Sequence, residues 1–275
     1  MFLGRENEFR QVYEVVSSNF ALRNAEQKSS HTFVFVPGGP GIGKTRFAHE
    51  LPTLLRNFHS DESPPELVAA LQNPVYILVD FNIGLQYLPL LDSVYHPTVC
   101  MGVRLLRAFF GGNLDLGMMC SNIGAHIKDI STPDVLSAII AEERMSRGPD
   151  APLCIFIHID EYQLYIARTQ EEEKVSLAAA RYRYKDLLKQ IGGFMLHDGM
   201  LKWDRNTFIV PVCSGISEID TTFLPTEYGK DVVRLPPLSR DDAMSMANEK
   251  YSADPGWPAI KTSDFFQVAL SDTGT

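Results

Sequence analysis

The sequence is short of basic charge: 25 lysines and arginines stand against 34 aspartates and glutamates, giving a formal net charge of −9 and a pI near 5.3. That balance disfavours a broad basic surface tracking nucleic-acid phosphates or anionic lipid and leaves room for a local patch. Cysteine is scarce as well. Cys100, Cys120, Cys154 and Cys213 lie far apart without a C-x-x-C pair, which argues against a zinc ribbon and a dithiol redox motif. Cys154 and Cys213 fall inside apolar runs, where a free cysteine behaves as a small hydrophobe, so a reduced, intracellular protein is expected. The N-terminus "MFLGRENEFR" turns charged at its fifth residue and has no signal-peptide core, and no apolar run approaches the length of a membrane span. Internal repeats and low-complexity tracts are also lacking, and no convincing linker divides the chain.

What is present suits one large α/β domain: 275 residues at 45% hydrophobic content can fill a sizeable core. Phe9, Val12, Val16 and Phe20 recur at helical spacing and predict a first helix over 6–24. Thr32 to Val36 reads as a buried strand, Pro37 to Gly43 as a glycine-rich loop, and Phe47, Leu51, Leu54 and Phe58 as the inner face of a helix that Pro52 should kink or shorten. "VYILVDF" (75–81) predicts a second strand, and Val99, Val103, Leu106 and Phe110 predict a helix closed by Gly111 and Gly112. Thr132 as N-cap, Pro133 and Asp134 open a helix reaching about Arg144. "LCIFIHID" (153–160) gives the third strand. A long helical pattern through Val175, Ala178, Tyr182, Leu188 and Ile191 follows, interrupted at Gly192 and Gly193. "TFIVPVCSG" (207–215) and "VVRL" (232–235) complete five strands, and Ser239 with Asp242 forms a capping box for a helix from Arg240 to about Lys250. Continuously apolar strands alternating with helices predict a parallel sheet covered on both faces.

The segment "GGPGIGKT", Gly38 to Thr45, fits G-x-x-x-x-G-K-[ST], the phosphate-binding P-loop. Its glycines let backbone N–H groups turn toward phosphate, the following helix presents its positive end, Lys44 reaches the phosphate oxygens and Thr45 offers a hydroxyl to Mg²⁺. In "LCIFIHIDEYQ" an apolar run ends in two adjacent carboxylates. A strand beside the P-loop strand that delivers Asp160 to the metal shell and Glu161 to the attacking water is the partner a P-loop enzyme needs. Ser214, ending the fourth strand, stands between two readings, a γ-phosphate-sensing residue and a turn residue beside Gly215. His158 is read as a hydrogen-bonded core residue rather than a catalyst. "RYRYK" (181–185) interleaves basic and aromatic residues as single-strand-binding segments do, but helical spacing puts Tyr182 in the core and the arginines on a solvated face. "EEEK" (171–174) reads as solvated helix surface, and "GRENE" (4–8) on its own as the polar start of a helix.

Together these residues resemble an AAA+ or STAND-type P-loop NTPase. "FLGRENEF" resembles the opening that lies near the adenine in that superfamily, and "RLPPLSRDDA" (234–243) the entry to its helical lid. "FVFVPGGPGIGKTRFAHEL", "MGVRLLRAFF", "IHIDEYQ" and "VCSGIS" are similar to the NTPase module of Crinkler-family effectors and the related retrotransposon hot spot proteins, over about Phe33 to Ala247. The resemblance implies an additional-strand, catalytic-glutamate P-loop fold with a core over 1–235, including an N-terminal helix region over 1–30. It implies nucleotide contacts from Gly38, Gly39, Pro40, Gly41, Ile42, Gly43, Lys44, Thr45 and Arg46, Mg²⁺ coordination by Thr45 and Asp160, and catalysis by Glu161, Lys44 and Ser214. The chain ends at "ALSDTGT", ahead of the Gly-x-Pro-Arg segment in which relatives carry an arginine to the γ-phosphate, so residues 236–275 are expected to form an incomplete lid. Neither the translocation header nor the downstream domain of Crinkler proteins is visible; an effector of that kind is secreted by such a header and acts in a host cell, including its nucleus.

The function expected is Mg²⁺-dependent ATP binding with hydrolysis; a nucleotide-gated interaction switch without turnover is the rival. The lack of an Asn/Thr-Lys-x-Asp guanine-reading motif leans toward ATP, and the lack of an arginine-rich lid speaks against a small-molecule kinase. A protein partner or homo-oligomer is compatible with this reading, nucleic acid less so, and a membrane is not expected.

Overall fold

Five short strands carry the apolar runs: β1 (Thr32–Pro37), β2 (Val75–Asp80), β3 (Leu153–Asp160), β4 (Thr207–Gly215) and β5 (Gly229–Val232). In the computed structural model, which describes residues 5–58, 63–196, 206–216, 227–237 and 239–263, all five pair in parallel in the order β2-β3-β4-β1-β5. β4, late in the chain, is thus inserted between β1 and β3. The alternation of side chains across the pleat splits each strand between two cores. Phe33 and Phe35 of β1 and Ile155, Ile157 and Ile159 of β3 enter one; Val34 and Val36 of β1 and Cys154 and Phe156 of β3 enter the other.

Helices cover both faces. On the first lie α4 (Pro89–Asp92), α5 (Pro97–Phe110), α6 (Leu116–Ile123), α7 (Thr132–Arg147), α8 (Tyr162–Glu173) and α9 (Leu177–Met195), contributing Leu91, Val103, Leu116, Ile139, Tyr165 and Leu188 to its core. On the second lie α1 (Glu6–Ala21), α2 (Lys44–Leu54) and α3 (Pro65–Gln72), contributing Val12, Leu51 and Leu71. Two further helices, α10 (Arg240–Tyr251) and α11 (Trp257–Thr262), follow β5, and Ser239 caps α10 by accepting the Asp242 N–H as its sequence predicts. Gly4 of the opening motif and the final stretch 264–275 of the expected lid lie outside the described residues. Among the described residues no helix is long and apolar enough to cross a membrane.

Six sequence expectations need correction. Ser131, not Thr132, caps α7 by accepting the Asp134 N–H, because the Thr132 hydroxyl is drawn inward to the Thr98 carbonyl at 2.8 Å. α2 ends at Leu54, two residues past Pro52, in keeping with the expected shortening, but the 3₁₀ turn over Leu55–Asn57 puts Leu55 in the core and leaves Leu54 and Phe58 only partly buried. The long helical pattern starts later than Val175: Lys174 ends α8 with a left-handed φ of 53°, and Ser176 caps α9 by accepting the Ala179 N–H. In α9 the inward face carries Tyr184, Leu187 and Ile191, whereas Tyr182 is 59% exposed, its ring beneath the Lys185 ammonium. Gly192 does not interrupt α9 but admits a neighbour: a Cβ there would stand 2.4 Å from the Tyr228 ring. Finally, β5 pairs over Gly229–Val232 rather than over "VVRL"; Val233 and Leu235 are buried beyond its paired length.

The first core encloses an ion pair that no spacing rule announces. Arg104 on α5 and Asp92 at the end of α4 meet through two bonds, Nη1 to Oδ1 at 2.8 Å and Nη2 to Oδ2 at 2.6 Å, with neither side chain exposed. The guanidinium also donates to the carbonyls of Leu85, Gln86 and Cys100, and Asp92 accepts the Leu88 N–H. Burial works against the Arg104 charge, but Asp92 more than offsets it and the pKa is raised. The pair clamps the segment after β2 onto α5.

The four cysteines are free thiols. Burial pushes Cys100 and Cys213 up to about 12 and Cys154 well above its ordinary value. Only Cys120 is partly exposed, so a thiol reagent counted by mass spectrometry should label Cys120 alone in the native protein and all four cysteines after denaturation.

Candidate functional site

Parallel register places the C-terminal ends of β1, β3 and β4 at one edge of the sheet: Pro37 lies opposite Gly215, Val36 opposite Ser214, and Ile159 opposite Cys213. The loop 38–43 leaves β1 at this edge, its base tied by the Gly38 N–H to the Gly215 carbonyl at 3.2 Å. Gly41 and Gly43 adopt φ of 80° and 94°, a region open to glycine without strain. A Cβ on Gly39, Gly41 or Gly43 would meet nothing within 4 Å, so the loop borders open space. Gly43 is also the N-cap of α2, which aims the unpaired N–H groups and positive end of that helix at the loop.

Lys44 begins α2 and is only 5% exposed; its Nζ spans the loop to the Gly39 carbonyl at 2.8 Å. Burial lowers its pKa, while the charges of Glu161 and Asp160 act in the opposite direction. Thr45, one residue on, donates from Oγ1 to Asp160 Oδ2 at 2.7 Å. Ile42 is half-buried against the second core, and Gly39, Pro40 and Arg46 are exposed.

Asp160, 2% exposed at the end of β3, receives three donors: Thr45 on Oδ2, and the Ser214 hydroxyl and the Glu161 N–H, the latter at 3.0 Å, on Oδ1. Glu161 turns the chain from β3 into α8 with a φ of 55°, a conformation uncommon for a residue with a side chain. Gln163 Nε2 donates to the Glu161 carboxylate, and Gln163 Oε1 accepts the Ile216 N–H after β4 at 3.2 Å. Gly215 makes this approach feasible, since a Cβ there would stand 2.5 Å from Gln163 Oε1.

His158 is fully buried, as expected of a core residue, with Nδ1 2.6 Å from the Tyr76 hydroxyl and Nε2 2.6 Å from Ser214 Oγ. Burial, with a further contribution from His49, pushes its pKa down to about 4, so the ring is neutral although Nε2 lies 3.8 Å from Asp160 Oδ1. Lys44, Thr45, Asp160, Glu161 and Ser214 are therefore brought together, and Arg46 is exposed on the first turn of α2.

Four neighbours were not anticipated. Asp80 closes β2 opposite Asp160, its pKa raised by burial against the lowering effect of the Asn82 and Ile83 N–H groups. The signal was available, because "VYILVD" repeats the pattern of "IFIHID". Tyr76 and Gln163 had none, since their roles depend on which strands become neighbours. Arg5 is buried and donates to the carbonyls of Pro236 and Ile42, joining the start of α1, the loop and the entry to α10; "GRENE" is thus more than a solvated helix start.

No protein-family model matches the sequence, and no curated protein matches it. Among solved structures the chain is similar to that of C. elegans PCH-2, at 14% identity and a TM-score of 0.41, covering 90% of this chain and 47% of that one. The chain thus spans less than half the length of that protein, and a likeness at this level fixes neither family nor activity.

The donor set suits a small hard cation. Thr45 offers a hydroxyl and Asp160 a carboxylate within 2.7 Å of each other, and Mg²⁺ takes one or two protein oxygens, completing its shell with water and phosphate. Among the described residues no group of three or more His, Cys, Asp or Glu side chains is placed to hold a metal, so an all-protein cage is not offered.

Proposed function

We propose that this chain is an Mg²⁺-dependent ATP-binding domain of the P-loop NTPase type, in the AAA+/STAND group, that hydrolyses ATP. One observation carries the reading: insertion of β4 between β1 and β3 brings Lys44 and Thr45, on the first turn of α2, to Asp160 and Glu161 at the end of β3. The loop glycines and the α2 N-terminus receive the phosphates, and Lys44 exchanges the Gly39 carbonyl for a phosphate oxygen. Thr45 and Asp160 hold Mg²⁺, which neutralises phosphate charge when bound. Glu161, on its left-handed turn, orients water and takes its proton. The narrower kinship with the Crinkler NTPase module rests on the sequence segments alone, and action inside a host cell goes with it.

Titration with ATP and GTP, each with and without Mg²⁺, tests the reading. ATP is expected to bind more tightly than GTP and to need Mg²⁺; equal, metal-independent affinity for both would remove the assignment. Glu161→Gln is expected to keep binding and to cut phosphate release by about 10² to 10⁴-fold, the usual contribution of a general base.

A second reading, a nucleotide-gated switch without useful turnover, draws on one contact: the Glu161 carboxylate is engaged by the Gln163 amide, itself anchored to the Ile216 N–H. Saturable ATP binding without phosphate release in the wild type, with release gained in Gln163→Ala, supports the switch.

A further inference from the structure

Tyr76, His158 and Ser214 form one chain of hydrogen bonds across the adjacent strands β2, β3 and β4, ending on the Asp160 carboxylate. Counting protons fixes its direction. An ionised carboxylate only accepts, so the single Ser214 proton goes to Asp160 Oδ1, and Ser214 Oγ accepts from His158 Nε2. The neutral ring therefore carries its proton on Nε2 and offers the lone pair of Nδ1 to the Tyr76 O–H. Each member orients the next. His158 and Ser214 are both fully buried, so no water competes for these positions. On the other carboxylate oxygen sits Thr45, the second oxygen donor of the cation site.

We propose that Tyr76, His158 and Ser214 are positioning residues that fix the rotamer of Asp160 for a divalent cation, a role that rests on the reading of Asp160 and Thr45 as its ligands. Ser214 then acts through Asp160, because its one proton is already directed there, and not by contact with the γ-phosphate. Partners that orient a metal ligand typically govern affinity for the metal by about 10- to 100-fold.

Two measurements test this. In ¹⁵N-histidine spectra of the protein without nucleotide, the His158 ring should show a protonated Nε2 and a hydrogen-bonded acceptor Nδ1, and Tyr76→Phe should shift Nδ1. A proton on Nδ1 would overturn the relay. In ATP titrations, Ser214→Ala should raise the Mg²⁺ concentration for half-maximal binding by about 10-fold or more, leave metal-free ATP affinity unchanged, and be rescued by Ser214→Thr. A purely structural role would not move the metal dependence alone, so an unchanged Mg²⁺ requirement in folded Ser214→Ala overturns the proposal while ATP binding stands. Where Ser214→Ala does not fold, Tyr76→Phe carries the same test from the outer end of the chain. Where the wild-type protein binds no ATP, the nucleotide reading itself fails, and the relay is decided with Mn²⁺ alone. Paramagnetic broadening of the His158 ring signal that is lost in Tyr76→Phe supports it, and equal broadening in both proteins overturns it.

Discussion

Replacing Lys44 with alanine is expected to weaken Mg²⁺-ATP binding by about 10- to 150-fold while leaving a cooperatively folded protein. The amine stands at the mouth of α2, spans the loop to Gly39 and is nearly buried. A hydrogen bond to a charged group contributes about 1.5–3 kcal/mol, and about 1.4 kcal/mol is tenfold in affinity. Neither core depends on the lost bond, because its acceptor lies in an exposed part of the loop. Calorimetric titration gives the affinity and a thermal melt gives the fold; unchanged affinity in a folded Lys44→Ala protein contradicts phosphate binding by this loop.

The largest effect on stability is expected at the buried Asp92–Arg104 pair. Removing either partner leaves the other as an uncompensated charge in the first core, a loss of about 3–5 kcal/mol. At this chain length that lowers the melting temperature by roughly 6–20 °C. Asp92→Leu combined with Arg104→Leu should cost clearly less than the sum of the two single changes. The double variant carries no stranded charge, although the carbonyls of Leu85, Gln86 and Cys100 lose their donor. Urea denaturation of the wild type, both single variants and the double variant measures the coupling. Strict additivity would show that the two charges act independently.

The parts of this fold that could be read in advance are those whose signal is local. β1, β3 and β4 are continuous apolar runs, and their burial on both faces is why. β5 is a four-residue edge strand only partly buried, and the more apolar residues that follow it drew the strand boundary late. At α7 two adjacent residues can both cap a helix, and a tertiary contact from Thr132 to Thr98 decided between them. In α9 the pattern begins at Val175, ahead of the Ser176 cap, and its phase points Tyr182 inward, whereas the inward phase of α9 belongs to Tyr184.

The site divides along the same line. Lys44, Thr45, Asp160 and Glu161 belong to short motifs whose spacing expresses their chemistry. Tyr76 and Gln163 become neighbours of the site only through the sheet order, Gln163 reaching the end of β4, whereas Asp80, level with Asp160 across β2 and β3, ends a run of the same pattern and was legible. Asp92 and Arg104 lie twelve residues apart across the junction of two helices, where no helical or strand period predicts a contact.

The central claim is that β4 joins the loop of β1 to the acid pair of β3 in one cation-dependent phosphate site. Titrating ATP into the wild-type protein with Mg²⁺ and then with the metal chelated tests it most directly, with Asp160→Asn in parallel. The account predicts tight binding that weakens sharply when the metal is removed, and in Asp160→Asn a weak affinity that Mg²⁺ no longer improves. Equal affinity with and without Mg²⁺, unaltered by Asp160→Asn, would contradict it.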